Sequence, residues 1–131
     1  MKKIIKSDEE WKKILTNEEF LVTRKKHTES PFYKNDFTLI KKGIFSCKCC
    51  DLDLFDSSHK YDSGSGWPSF YDKISINAII EIEDNSHNMK RIEVICASCD
   101  SHLGHVFNDG PQPTGLRYCI NSLSLNFKEN E

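Results

Sequence analysis

The chain has no apolar run long enough to cross a bilayer, and none near its start that would serve as a secretion leader. Met1-Lys2-Lys3-Ile4-Ile5-Lys6 is charged from its second residue. The expectation is a cytoplasmic protein with no membrane partner. Internal repeats, low-complexity tracts and linker-like stretches are also missing, so the 131 residues read as one domain, 1–131, with enough length for a real core. No charge of one sign dominates. A net charge of −2 and the lack of a basic cluster argue against nucleic acid as a partner, and the basic excess near the start reads as a solvated face.

Cysteine is what the chain does not lack: it has six. In a reducing compartment these serve more often as metal ligands or catalytic groups than as disulfides. Cys47-Lys48-Cys49-Cys50 and Cys96-Ala97-Ser98-Cys99 each supply a C-x-x-C pair directly after an expected strand. Two such pairs complete a tetrahedral four-sulfur site, so Cys47, Cys50, Cys96 and Cys99 are expected to hold one zinc ion. Its role would be structural, because four protein ligands leave no open position. Iron accepts the same four thiolates. A thioredoxin-like redox pair would need a βαβ setting, which neither motif has. The long stretch between the pairs implies that the ion joins two separate hairpins.

The local patterns predict a mainly β fold with a helical start. Ser7-Asp8-Glu9-Glu10 and Thr16-Asn17-Glu18-Glu19 both have the form of a capping box, and each precedes apolar residues, so two short helices are expected. Thr23 to Asp36 reads as an irregular connection. Strands are expected over Phe37–Ile40 and Ile44–Cys47, then a hairpin over Ile74–Glu83 and Arg91–Cys96. In its first arm Ile76, Ala78, Ile80 and Ile82 alternate. A last strand alternates Leu123, Leu125 and Phe127 with serine and asparagine. A bend is expected near Asn121-Ser122, since Cys119 and Leu123 share parity but should face different surroundings.

Arg117-Tyr118-Cys119-Ile120-Asn121 reads as a strand with two unlike faces. Tyr118 and Ile120 pack, while Arg117, Cys119 and Asn121 stand together on the other side. A guanidinium two residues from a thiol favours the thiolate, the nucleophilic form, so Cys119 is the candidate reactive atom. Asp109 precedes a Gly110-Pro111 turn, from which it could pair with Arg117. His102-Leu103-Gly104-His105 places two imidazoles close together, and histidine both takes and gives protons near neutrality. The glycine-rich turn Ser63 to Phe70 presents Trp67, whose indole can wall a small apolar group.

Together Cys47/Cys50, Gly66-Trp67-Pro68-Ser69-Phe70, Cys96/Cys99, His102-Leu103-Gly104-His105-Val106-Phe107, Asp109-Gly110-Pro111 and Arg117-Tyr118-Cys119-Ile120-Asn121-Ser122 closely resemble the methionine-R-sulfoxide reductases, the B-type enzymes. The resemblance runs from about Thr16 to Phe127 and implies two antiparallel sheets meeting as a tent, with structural zinc at one end. It implies reduction of the R epimer of methionine sulfoxide, in proteins or free, by a monomeric oxidoreductase. In this correspondence Cys119 attacks the sulfoxide sulfur, His102, His105 and Asn121 surround and protonate the departing oxygen, Trp67 and Phe107 pack on the methyl group, and Arg117 with Asp109 shapes the thiolate environment. Cys119 is left as a sulfenic acid.

The chain departs from the family pattern at one chemically important place. Many members carry a resolving cysteine where this chain has Ser65, and a hydroxyl cannot close a disulfide on a sulfenic acid. Either an external thiol such as thioredoxin reduces Cys119, or Cys49 substitutes. His27 and Leu123 also stand where glycine and alanine are frequent. The alternative is a non-catalytic zinc module on the same scaffold, which would have no reason to keep Cys119, His102, His105, Trp67 and Asn121 together.

Overall fold

The computed structural model describes residues 3–33 and 41–130. Its first elements are the two helices whose caps the sequence specifies. Ser7 precedes α1 (Asp8–Ile14) and Thr16 precedes α2 (Asn17–Lys25). Each cap hydroxyl accepts from the N–H three residues on, Glu10 at 3.2 Å and Glu19 at 3.1 Å. Each of those glutamates returns a carboxylate to the cap's own N–H, at 3.0 and 2.9 Å. Orphan donors at both helix starts are thereby satisfied. Trp11 and Phe20 bury against the body of the protein.

The rest is strand. β1 (Gly43–Cys47), β2 (Asp53–Asp56) and β9 (Leu125–Glu129) form a three-stranded sheet in the order β2-β1-β9. β3 (Lys60–Tyr61), β4 (Ser69–Phe70), β5 (Ile79–Asp84), β6 (Arg91–Cys96), β7 (His102–Phe107) and β8 (Arg117–Ile120) form a six-stranded sheet in the order β3-β4-β8-β7-β6-β5. Every pairing is antiparallel. The fold is thus the mainly β one expected, with two antiparallel sheets and short N-terminal helices.

Aromatic side chains join the sheets. Phe45 of β1 meets Phe70 of β4 edge-on, with ring centroids 5.1 Å apart, and Phe55 of β2 stacks on Phe70 at 4.4 Å. Phe55 also lies 5.7 Å from Tyr118 of β8. Phe55, Phe70 and Tyr118 are completely buried. Burial of each such ring contributes about 1.5–3 kcal/mol, and each well-placed ring pair adds about 0.5–1.5 kcal/mol. Tyr118 keeps its polar end satisfied by donating to Glu81 and accepting from Lys73, both at 3.3 Å.

β8 shows the two-faced alternation expected of it: Tyr118 and Ile120 are buried, Arg117 and Cys119 half-buried. The bend also occurs. A 3-10 turn at Ser122–Ser124 follows β8, and the chain leaves the large sheet to enter the small one as β9. Ser122 and Ser124 are buried in that turn rather than part of the strand, which begins at Leu125. The expected strand over Phe37–Ile40 lies outside the described residues.

The arm expected over Ile74–Glu83 is shorter than its alternation suggests. β5 begins at Ile79, and Ile76, in a turn, is 79% exposed. Ile80 and Ile82 share one exposed face of this edge strand, while Ile79 turns inward. Its partner residue is Cys96, on the face that also carries the buried Val94. The register of β6 therefore decides which face of β5 is buried, and the apolar alternation lies on the other one.

Candidate active site and metal centre

Two turns of the same construction carry the C-x-x-C pairs. In the β1–β2 turn, Cys47 donates its N–H to Leu52 (2.8 Å) and accepts from Asp51 (2.8 Å); in the β6–β7 turn, Cys96 donates to Ser101 (2.9 Å) and accepts from Asp100 (3.0 Å). Asp51 and Asp100 both have positive φ, 66° and 63°, a conformation that aspartate tolerates better than most residues. One turn belongs to each sheet, and the folding of the sheets brings them together. The sulfurs of Cys47, Cys50, Cys96 and Cys99 lie within 4.8 Å of one another, with 3.6 Å between Cys47 and Cys99 and 3.5 Å between Cys50 and Cys96. A tetrahedron of thiolates around a divalent ion at about 2.3 Å has edges of about 3.8 Å, so these residues fit a metal. Cys49 stays at this end of the molecule, beside Cys47, Cys99, Thr23 and Ser101.

The other sequence-derived candidates converge on one face of the large sheet. Register does most of this work. Cys119 lies opposite His105 on one side and Ser69 on the other, His105 lies opposite Glu93, and Phe107 opposite Arg117. Paired residues point to the same side of a sheet, so one row across the strands reads Ser69, Cys119, His105, Glu93. The close approach of β7 to β8 requires Gly104, where an added Cβ would lie 2.0 Å from the Cys119 carbonyl oxygen. His102 joins the row from beyond an irregularity in the β6–β7 pairing, and its ring centroid is 5.6 Å from that of His105.

Each imidazole is held by a carboxylate that the sequence reading did not single out. Nδ1 of His102 is 2.8 Å from Glu93, both side chains being 4% exposed, and Nε2 of His105 is 2.7 Å from Asp84. Lys26 reaches the other oxygen of Glu93 at 3.1 Å. Burial holds the His102 imidazole below its ordinary pKa, with Glu93 opposing that shift. The hydrogen bond with His105 holds Asp84 well below the usual carboxylate range. Nε2 of His102 is buried with no partner among the described residues, so a polar ligand atom is the natural complement of this nitrogen.

Arg117 pairs with Asp109 through two hydrogen bonds, of 2.8 and 3.2 Å, and its guanidinium lies 4.4 Å above the Phe107 ring. This pairing was expected, and Arg117 lowers the Cys119 thiol as its place on the strand predicts, but burial outweighs it. Burial pushes the Cys119 thiol up from its ordinary value, and Arg117 and Ser65 offset the shift only in part.

Trp67 and Asn121 are positioned by the segment after α2, where the sequence predicts only an irregular connection. Trp67 donates its Nε1–H to the Glu29 carbonyl at 3.0 Å, and Asn121 accepts the Glu29 N–H at 3.1 Å. The Trp67 loop is pressed against the same segment. Gly66, at φ 89°, accepts from the Phe32 N–H at 2.6 Å, and a Cβ there would meet Pro31 at 2.7 Å. Phe70, from the same turn, belongs to the core and not to this face.

Among the described residues no helix is long and apolar enough to cross a membrane. The SelR domain model matches residues 15–129 of the chain. Three similar proteins bear the description peptide methionine sulfoxide reductase MsrB. That of Methanosarcina mazei is 57% identical over 98% of this chain and 92% of its own length. That of Pseudomonas putida (strain W619) is 56% identical over 100% and 98%. That of Acinetobacter baylyi is 52% identical over 100% and 94%.

Proposed function

Because this chain belongs to the SelR-domain family of peptide methionine sulfoxide reductases, we propose that it acts as one domain, 1–131, reducing the R epimer of methionine sulfoxide through Cys119. The observation that carries the reading is the row in which Cys119 stands between Ser69 and His105, with Nε2 of His102, which has no partner among the described residues, on the same face. A nucleophilic sulfur and two imidazoles on one sheet face suit a reaction that moves an oxygen from one sulfur to another.

The Cys119 thiolate attacks the sulfoxide sulfur. The sulfoxide oxygen takes up a proton, is transferred to Cys119 and leaves methionine behind. In balance, thiol and sulfoxide become sulfenic acid and thioether. His102, His105 and Asn121 surround the oxygen, and their hydrogen bonds stabilise the charge that develops on it. Trp67 and Phe107 pack against the methyl group, and this wall selects the epimer. Arg117, steadied by Asp109, opposes the burial that disfavours the thiolate. The raised thiol makes substrate binding the moment of activation, since the proton that Cys119 loses is one that the sulfoxide oxygen needs.

Recycling uses an external thiol, such as thioredoxin. One thiol condenses with the sulfenic acid to release water and form a mixed disulfide, and a second thiol frees Cys119. Ser65 cannot take the first role, and the position of Cys49 among the knuckle cysteines supports leaving it out. Cys47, Cys50, Cys96 and Cys99 would hold a zinc ion, which would brace the two turns and take no part in the reaction, because four protein thiolates would leave it no open position. The enzyme works as a cytoplasmic monomer.

The test is turnover of separated R and S methionine sulfoxide with dithiothreitol, by native protein and Cys119→Ser. Turnover of R alone, absent from the variant, is expected. Equal use of both epimers, or an active variant, would refute the reading.

A further inference from the structure

Every residue from Lys25 to Tyr33 is exposed except Glu29, which is 6% exposed. A lone carboxylate buried from an otherwise exposed loop needs a reason, since desolvating it is costly unless its oxygens are well bonded. They are. One oxygen accepts from the Ser122 hydroxyl at 2.7 Å and the other from the Leu123 N–H at 2.8 Å, both in the turn that follows β8. The side chain thus anchors the loop after α2 to the strand carrying Cys119.

The main chain of the same residue does something different. Its N–H donates to Oδ1 of Asn121 at 3.1 Å, and its carbonyl accepts from Nε1 of Trp67 at 3.0 Å. The first bond settles which way the Asn121 amide faces. With Oδ1 committed to Glu29, Nδ2 is directed to the Leu103 carbonyl at 3.2 Å, and among the described residues its second N–H group has no partner. The second bond fixes the indole by its only polar atom.

We infer that Glu29 is a positioning residue of the pocket: its carboxylate pins the loop so that its own peptide groups set the amide orientation of Asn121 and the tilt of Trp67. This rests on the reading of Trp67 and Asn121 as the groups that meet the sulfoxide oxygen and methyl. Lys26, at the start of the same loop, pairs with the carboxylate that holds His102, so one short segment steadies three groups of the pocket.

Glu29→Ala and Glu29→Gln, with Trp67→Ala and Asn121→Ala beside them, test the inference by steady-state kinetics on R methionine sulfoxide. Misplacement of binding groups by about 1 Å costs up to about a hundredfold, so Glu29→Ala is expected to lose about ten- to a hundredfold in kcat/KM. Its Trp67 emission should no longer respond to substrate as the native protein's does. Metal content and the unfolding transition should stay native, which a general loss of structure would not allow. Glu29→Gln keeps an acceptor for the Leu123 N–H, and its amide N–H can be accepted by the Ser122 hydroxyl, which now donates to Glu29; it should restore most of the activity and the emission response. Native kcat/KM and native emission response in Glu29→Ala, with Trp67→Ala and Asn121→Ala impaired, would overturn the role of Glu29 alone. Native turnover in the latter two would overturn the pocket reading and this inference with it. Should Glu29→Ala fail to fold, Ser122→Ala, which withdraws one of the two anchors, is read in the same way: a partial loss supports the inference and native behaviour overturns it.

Discussion

Cys96→Ser tests how the two sheets are joined. The Cys96 side chain is completely buried, and its sulfur lies 3.5 Å from that of Cys50, in the other sheet's turn. The substitution withdraws one of four metal ligands and leaves three thiols crowded together with a weakened hold on the cation that permits them to ionise. Structural zinc contributes about 10–16 kcal/mol to folding in small domains, so one donor of four is worth about 3 kcal/mol. That is a large part of the total stability of a domain, about 5–15 kcal/mol. At about 3 °C per kcal/mol for a chain of this size, the variant should melt about 10 °C lower. Metal analysis after gel filtration should find substoichiometric zinc, and calorimetry should record the drop. Cys49→Ser is the matched control, since Cys49 is not one of the four clustered ligands, and it should keep both its metal and its melting temperature. A Cys96→Ser protein with one full equivalent of metal and native melting would refute the four-thiolate site.

Because burial raises the Cys119 thiol, the neutral form predominates near neutrality in the free enzyme, and alkylation should accelerate as pH rises through the alkaline range. Arg117→Leu removes the main opposing influence and should move that rise to still higher pH; a plateau already reached at pH 7 would refute the argument. One equivalent of sulfoxide without reductant should leave Cys119 as a sulfenic acid that dimedone traps, and a Cys49–Cys119 disulfide in peptide mapping would overturn the recycling scheme. Phe55→Ala empties the centre of the aromatic cluster and should cost about 3–5 kcal/mol in urea unfolding, with less than about 1 kcal/mol counting against that cluster as the joint between sheets.

Local signals in the sequence were legible because their causes are local. The two capping boxes need only four residues each, and both helices begin where the boxes place them. The strand of Cys119 was readable for the same reason, since alternation within one strand decides its faces. The metal cluster was readable as two pairs of short spacing. Partners chosen by the fold were not readable. Nothing near Glu93 or Asp84 in sequence points to His102 or His105, and only the order of strands brings them together. Glu29 is a single acidic residue in a polar loop, and its burial depends on a turn near the other end of the chain. The Ile76 to Ile82 alternation misled because a period of two does not say which side of an edge strand is covered. The pKa of Cys119 turned on burial, which an isolated Arg-x-Cys cannot reveal.

The bond between Glu29 and Asn121 spans 92 positions of the chain. A polypeptide made from its N-terminus therefore carries the loop of Glu29, the indole and the knuckle cysteines out of the ribosome before it has anything to seat that loop on. The thiol and its surroundings come into register only when the last two strands have emerged. Until then the site proposed around Cys119 is unassembled, and the nascent chain's own methionines and cysteines are open to oxidants.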